Sequence, residues 1–461
     1  MRTVQVVSLY WLLAWLCTAS AASATPPQDT GGAVTLSQAW QSAMQNDPTY
    51  QAAISEREAG QANRAIGRAG LLPQVNASLG RHKIRGTLEG PGACGPECTD
   101  LNYMSRVNEI RATQTLFNWS RIAEYRQGHA RADYSLAVFE TRAESTSLRL
   151  INRYFQTLLS YENVVLAKSK LQANEKQVEA AHSRFNAGEG TLPEVRETVS
   201  RRDLSRAELI KAEDELSVAQ RELQEMLGQP PTQLTAVKSD FAPQPLDPPT
   251  QESWLAMAMT NNAEIQAAEK NLRVSDQEID RTFGGHLPTL DLIAARRNVD
   301  ADTISTRDQS SNTTSIGLQL AVPIYSGGLV SAQVKQARHN HQRALQELAA
   351  TRERIAVEVT RQYQAVVSGA QRIQALVLAV KSSAEALQAT RMGYQLGTRS
   401  VLDVLDVQEQ SYRAQLDLTQ ARLQYALARL ALAGAVGQLD AEVISRVDTM
   451  YFGPEKVLLR R

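Results

Sequence analysis

The chain has 461 residues with 49 basic and 49 acidic side chains, so no net charge draws it to nucleic acid. Aromatic residues make up only 5%, few for large compact cores, while Ala, Gln, Glu, Arg and Leu crowd the sequence. That mixture suits long helices with narrow apolar seams.

The N-terminus carries an export pattern. Arg2 precedes an apolar run from Val4 to Cys17, and small residues follow to Ala22-Ser23-Ala24. A charged start, a short apolar segment and an A-x-A site predict a signal peptide over 1–24. The run is shorter than the ~20 residues that span a bilayer. Trp15 and Leu16 before Cys17 are too bulky for a lipid-modified cysteine. Cys94 and Cys98 then remain, in a Gly- and Pro-rich stretch. So close a pair in an exported chain reads as a loop disulfide. A metal site would need more ligands than nearby His82 supplies. Elsewhere no apolar stretch approaches about 18 residues, so entry into a membrane requires β-strands.

An internal repeat organises the rest. The segment from Ala43 to Ala53, containing Asn46-Asp47-Pro48, matches Ala258 to Ala268 at an offset of 215 residues, Asn46 falling on Asn261. Leu72-Pro73 falls on Leu287-Pro288 at the same offset. Further on, Arg184 to Gly188 matches Gly393 to Gly397, and Leu227-Gly228 matches Val436-Gly437. The chain therefore divides into a first repeat (25–228), a Pro-rich linker (229–249), a second repeat (250–437) and a C-terminal segment (438–461).

Each repeat begins with a helix, over about 35–70 and 250–283, which ends before Leu-Pro because proline cannot continue it. Strand signals follow. Val75, Ala77 and Leu79 alternate with polar neighbours, and Ile316, Leu318, Leu320 and Val322 do so more cleanly. Residues 105–117 alternate poorly and are assigned as a strand by the repeat. Two hairpins result, 74–117 and 288–323, with polar tips over 85–102 and 298–313. From Arg121 to Asn186, and from Leu329 to Leu396, there is no proline. Each stretch predicts a helix ~100 Å long with coiled-coil seams. Turns at Gly188 and Gly397 send return helices back to Gly228 and Gly437.

Four strands per chain cannot close a membrane barrel, which begins at about eight. The expectation is an exported oligomer that shares a barrel and continues as a helical tube. The repeat resembles the TolC family of outer-membrane exit ducts over essentially the whole mature chain. The motif Gly393-Tyr394-Gln395-Leu396-Gly397-Thr398-Arg399-Ser400-Val401-Leu402-Asp403 is similar to the family's periplasmic gate turn. Asn46-Asp47-Pro48 and Phe117-Asn118-Trp119 are similar to TolC-like members too.

The resemblance implies an α+β membrane protein. Three chains would form a twelve-stranded β-barrel in the outer membrane, continued by an α-helical coiled-coil tunnel through the periplasm. It implies a passive exit duct, served by a periplasmic adaptor (membrane fusion) protein and an inner-membrane ABC transporter, in type I protein secretion. The alternatives are multidrug efflux with an RND pump and a periplasmic coiled-coil adaptor. By the same resemblance, Tyr394 and Arg399 hold the inner helical hairpin shut through hydrogen bonds to Glu194, where the family commonly has Asp. Asp403 and Asp406 share one helix face. They read either as helix-start acids favoured by the macrodipole or as rings of acids in a cation-selective constriction. No cofactor, metal or catalytic residue is expected. His339 and His341 are two apart and point to different helix faces, and no nucleophile elbow, H-E-x-x-H or phosphate loop occurs.

Overall fold

The computed structural model describes residues 33–88, 99–238, 241–306 and 308–459. The 1–24 export segment and the Cys94–Cys98 pair lie outside the described residues. The first repeat runs α1 (Leu36–Asn46), α2 (Pro48–Gln61), α3 (Asn63–Ala69), β1 (Gln74–Leu88), β2 (Thr99–Phe117), α4 (Trp119–Asn186) and α5 (Leu192–Leu227). A short strand β3 (Gln233–Val237) follows. The second repeat runs α6 (Gln251–Asn261), α7 (Ala263–Phe283), β4 (Thr289–Asp300), β5 (Ser310–Ala321), α8 (Leu329–Gln395) and α9 (Val401–Ala435). It is followed by α10 (Ala441–Tyr451) and β6 (Phe452–Leu458).

With 68 and 67 residues, α4 and α8 each extend ~100 Å. No single partner covers either. The upper part of α4 packs on α2 and α3, where Gly67 and Gly128 bring the backbones close and Arg57 lies over the Phe139 ring at 4.7 Å. Its lower part packs on α5 through Thr157, which donates to the Ala219 carbonyl at 3.2 Å. On α8 the corresponding partners are α7 above and α9 below.

Shorter helices therefore meet end to end beside each long one, α2 with α5 and α7 with α9, and such ends carry unpaired backbone groups. The paired motifs of the repeat fill those junctions. Asp47 caps α2 by accepting from the Tyr50 amide at 2.9 Å, and its other oxygen pairs with Arg149 at 2.8 Å. Asn46 donates to the Leu227 carbonyl at the end of α5, 3.1 Å away. In the second repeat Asn262 does both jobs, capping α7 through the Ile265 amide at 3.1 Å and donating to the Ala435 carbonyl at 3.0 Å. Gly228 and Gly437 end the return helices at φ 78° and 70°, a conformation that costs other L-residues about 1–2 kcal/mol.

The strands form one antiparallel sheet in the order β1-β2-β4-β5. Residues 105–117 belong to a 19-residue strand, β2. Its alternation is weak because Asn108 and Gln114 interrupt the face that carries Ile110 and Ala112. Strands also run further into the hairpin tips than the polar composition suggested, to Leu88 and Asp300. Within the chain neither β1 nor β5 has a second partner strand among the described residues.

The stretches read as linker and C-terminal segment are structured. β3 and β6 pair antiparallel halfway along α4. There Tyr154 donates to the Val34 carbonyl at 3.0 Å and meets the Thr235 hydroxyl at 2.7 Å. Around it Phe155, Phe452, Phe241, Tyr425 and Tyr451 form the main apolar core. Five-residue β3 has a partner more than 200 residues away, which explains why local patterning missed it.

The junctions predict unequal effects of alanine at two glycines with positive φ. Gly397→Ala meets open space, so it should cost about 1–2 kcal/mol from backbone strain alone. At Gly437 a Cβ would lie 2.3 Å from the Asn261 carbonyl oxygen, adding roughly 1–3 kcal/mol of overpacking. Thermal unfolding of the two purified variants should place Gly437→Ala clearly lower. Equal melting temperatures would contradict the junction as described.

Candidate functional site

The candidate site lies at the end of the helical hairpins farthest from the sheet. Both hairpins turn in the same way there. Gly188 and Gly397 have φ 78° and 77°, and the Gly190 and Arg399 amides donate back to the Arg184 and Gly393 carbonyls at 3.1 and 3.2 Å. These closures satisfy carbonyls left open by the ending helices. Pro193 occupies the start of α5, where its missing N–H leaves nothing unpaired.

Tyr394 and Glu194, 200 residues apart in sequence, meet between the turns. The Tyr394 hydroxyl donates to Glu194 Oε1 at 3.1 Å. The third member is Arg184, from the last turn of α4, which sequence reading did not single out. Its guanidinium lies 4.9 Å from the centre of the Tyr394 ring and 3.8 Å from Glu194 Oε1. Arg399 does not take the place beside Glu194 that the resemblance implied. Its stem packs against Gly393, and among the described residues its guanidinium has no hydrogen-bond or ion-pair partner. Partial burial raises the Tyr394 hydroxyl above its ordinary pKa, with the Arg184 hydrogen bond acting in the opposite direction. The phenol therefore stays protonated and able to donate.

Asp403 and Asp406 follow on the first turns of α9, and they differ in setting. Asp403 forms a capping box with Ser400, accepting its amide at 2.8 Å while the Ser400 hydroxyl accepts the Asp403 amide at 3.2 Å. The Ser400 amide and hydroxyl hold the Asp403 carboxyl below the usual range. Asp406 is paired with Arg201 of α5 at 2.9 Å, and Arg201 also donates to Glu197 at 3.0 Å. One of the two acids thus serves its own helix, and the other ties α9 to the neighbouring hairpin.

A polar seam continues from Arg201 up between α4, α5 and α9. Buried Asn174 donates to Ser205 Oγ at 2.6 Å and accepts from Gln408 at 3.2 Å. Lys170 lies between Glu208 and Glu409, 2.6 Å from each. Tyr412 donates to the Ser169 carbonyl at 3.2 Å. The signal in sequence was weak: isolated Asn, Ser and Gln in helices ordinarily mark solvent-facing positions.

At the opposite end, one face of the sheet is apolar and exposed. Leu79, Ile316, Leu318 and Leu320 are 82%, 76%, 67% and 65% accessible. No helix among the described residues is long and apolar enough to cross a membrane. The apolar sheet face is the surface suited to lipid.

A fold with an unclosed four-stranded sheet above two helical hairpins, each with one arm ~100 Å long, defines the class of outer-membrane channels built from several chains. The model of the outer membrane efflux protein family matches residues 39–229 and 254–438, the two repeats in turn. The chain is 32% identical over 413 residues to the proteases secretion protein PrtF of Dickeya chrysanthemi, covering 89% of each. It is 30% identical to the alkaline protease secretion protein AprF of Pseudomonas aeruginosa, covering 87% of this chain and 85% of that one. The solved structure of the outer membrane protein VceC of Vibrio cholerae superposes with a TM-score of 0.73 at 19% identity, over 88% of this chain and 97% of VceC. The chain belongs to the outer membrane efflux protein family, whose TolC-type members are channel proteins in the outer membrane.

Two outcomes follow. Arg at both Leu318 and Leu320 should cost ~2–4 kcal/mol per substitution at mid-membrane depth. Outer-membrane fractions should then hold little assembled protein, and normal recovery would contradict the lipid-facing assignment. At the tip, Arg184→Gln and Tyr394→Phe should each loosen the turn by about 1 kcal/mol. Because both act on Glu194, the double variant should cost less than the two losses added. Amide hydrogen exchange over 393–405 measures this, and strict additivity would mean that Arg184 and Tyr394 act separately.

Proposed function

We propose that this chain is the exit duct of a type I protein-secretion system. In this reading three copies close a twelve-stranded barrel, and their helices form a tunnel across the periplasm to an adaptor and an inner-membrane ABC transporter. The observation that carries it is the open sheet: edge strands β1 and β5 of one chain need the edges of others, since lipid tolerates no unpaired strand edge. Similarity to two protease secretion proteins along nearly nine-tenths of the chain favours protein cargo over small molecules. Expression in a strain lacking its own duct, together with a protease ABC transporter and adaptor, should restore protease secretion. Restored drug resistance without secretion would assign the chain to efflux instead.

The tip is the gate in this proposal. Tyr394, Glu194 and Arg184 hold the two hairpins of one chain together, which leaves Arg399 free to reach the next chain. Asp403 and Asp406 supply the acids of the constriction, with Asp406 drawn partly toward Arg201 while the gate is shut. Crowded carboxylates there create a negative potential that favours cations.

The two roles separate in planar bilayers. Tyr394→Phe removes the bond to Glu194 and Arg399→Ser the proposed contact with the next chain, each worth roughly 1–3 kcal/mol around the ring. Conductance should rise while cation preference stays. Asp403→Ala with Asp406→Ala should keep the channel folded but abolish cation preference and block by metal cations. Unchanged selectivity in that variant would reduce both residues to ordinary helix-start acids.

A further inference from the structure

Strand register carries the lipid-facing side of the sheet beyond its apolar belt. Side chains alternate along a strand, so Val75, Ala77 and Leu79 of β1 are followed on the same face by Arg81, Lys83 and Arg85. Pairing places Arg106 of β2 directly across from Arg81. On β4 the same face runs through Leu290, Leu292 and Ala294 to Arg296, which pairs opposite Ile110. The acids on this face of the described strands are Asp100 and Asp300, fewer than the cations, and Asp300 of β4 pairs opposite Arg106 on its other side.

The two faces of the sheet treat charge differently. On the inner face Arg111 pairs with Glu109 at 2.8 Å, and Arg297 pairs with Asp302 at 3.3 Å. On the outer face Arg81, Lys83, Arg85, Arg106 and Arg296 are all exposed, and none has an ion pair among the described residues. Like charges set directly opposite each other across strands are unfavourable. Asp300 offsets only one of the two charges where Arg81 lies beside Arg106, and Lys83 and Arg85 extend the excess, so the arrangement is one that a further anion would relieve.

Position indicates where that anion would come from. The strands leave the helices at Gln74, so Arg81 to Arg85 lie toward the end far from the helical tube. With strands tilted by roughly 40°, the eleven steps from Gln74 to Arg85 at ~3.3 Å each climb ~28 Å, slightly more than the ~25 Å apolar band of outer-membrane barrels. Arg85 thus reaches the outer headgroups, and Lys83 and Arg81 lie at and just below the edge of the belt, from which their long side chains extend to the same level. Guanidinium groups present planar forks that fit phosphate oxygens.

We propose that Arg81, Lys83 and Arg85 of β1, with Arg106 of β2, bind the phosphate groups of a phosphorylated glycolipid in the outer leaflet. The site recurs in each copy around the barrel and draws acidic lipid against the outer wall just above the apolar belt. The inference rests on the outer-membrane placement and goes beyond the duct function.

The test uses the full-length oligomer purified in mild detergent, with bound lipid counted by native mass spectrometry. The probes are diphosphorylated lipid A, its enzymatically dephosphorylated form, and inorganic phosphate as competitor. Diphosphorylated lipid should be retained on the order of tenfold more than the dephosphorylated form, as expected for charge-assisted phosphate contacts. Arg81→Gln with Lys83→Gln and Arg85→Gln should abolish that preference, and Arg81→Lys with Arg85→Lys should restore part of it. Equal retention of both lipids would overturn the proposal, leaving only contact with the apolar belt. Displacement by millimolar inorganic phosphate would overturn it in favour of a free-anion site. Failure to retain any lipid would count against the membrane placement itself. If the neutral variant does not assemble, the lipid series on the unaltered protein decides alone.

Discussion

A helix ~100 Å long needs a partner along its whole length, and this chain supplies it with two helices in series. The place where they meet is the constraint on which the rest depends. An end-to-end joint brings the unpaired carbonyls of one helix against the unpaired amides of the next. Asn46, Asp47 and Asn262 bond to members of both sets, Gly228 leaves room for the Asn46 side chain, and Gly437 lets the backbone approach the Asn261 carbonyl. Arg149 adds a charge partner to Asp47, which is 2% exposed. Because the joints fix α2 over α5 and α7 over α9, they set how far the sheet stands from the hairpin tips. The favourable sense of the helix dipoles, amide end against carbonyl end, works in the same direction.

These joints also explain why so much of the architecture was legible. A residue that must cap one helix and close another leaves few substitutes, so the two repeats keep the same short motif at the same place. The Gly188 and Gly397 turns are equally demanding, since each needs a left-handed residue. The strands of the second hairpin announced themselves because β5 alternates cleanly over Ile316, Leu318 and Leu320. Signals failed where the deciding contact was remote. β3 is too short to show a period, and its partner β6 lies at the far end of the chain. Arg184 looks like any exposed helical arginine until folding brings the last turn of α4 against Tyr394. Asp403 and Asp406 looked alike in sequence, yet one is bound to Ser400 and the other to Arg201.

The tip and the middle of the molecule are held by different forces. Halfway along α4, Tyr154, Phe155, Phe452 and Tyr451 bury aromatic surface around a small sheet. Such packing is lost all at once if the elements separate, because apolar surface returns to water. Lower down, the contacts between the α4–α5 and α8–α9 hairpins are chiefly polar: Arg201 with Asp406, Lys170 with Glu409, Asn174 with Gln408.

A polar contact exchanged for water changes the net free energy by only about 0.5–1.5 kcal/mol. Partners such as Arg201, about one-third exposed, need little further hydration when they part. The lower seam can therefore separate and re-form at modest cost, whereas the aromatic middle cannot. In the proposed gate, an outward swing of α9 parts Asp406 from Arg201, whose positive charge then no longer offsets the carboxylate, while Asp403 keeps its cap on Ser400 and travels with its own helix. Under that proposal, opening and the appearance of negative potential are one event, coupled through a single ion pair. Coupling of this kind is reciprocal: a cation that binds the freed carboxylates must itself bias the seam toward the state in which Arg201 has let go.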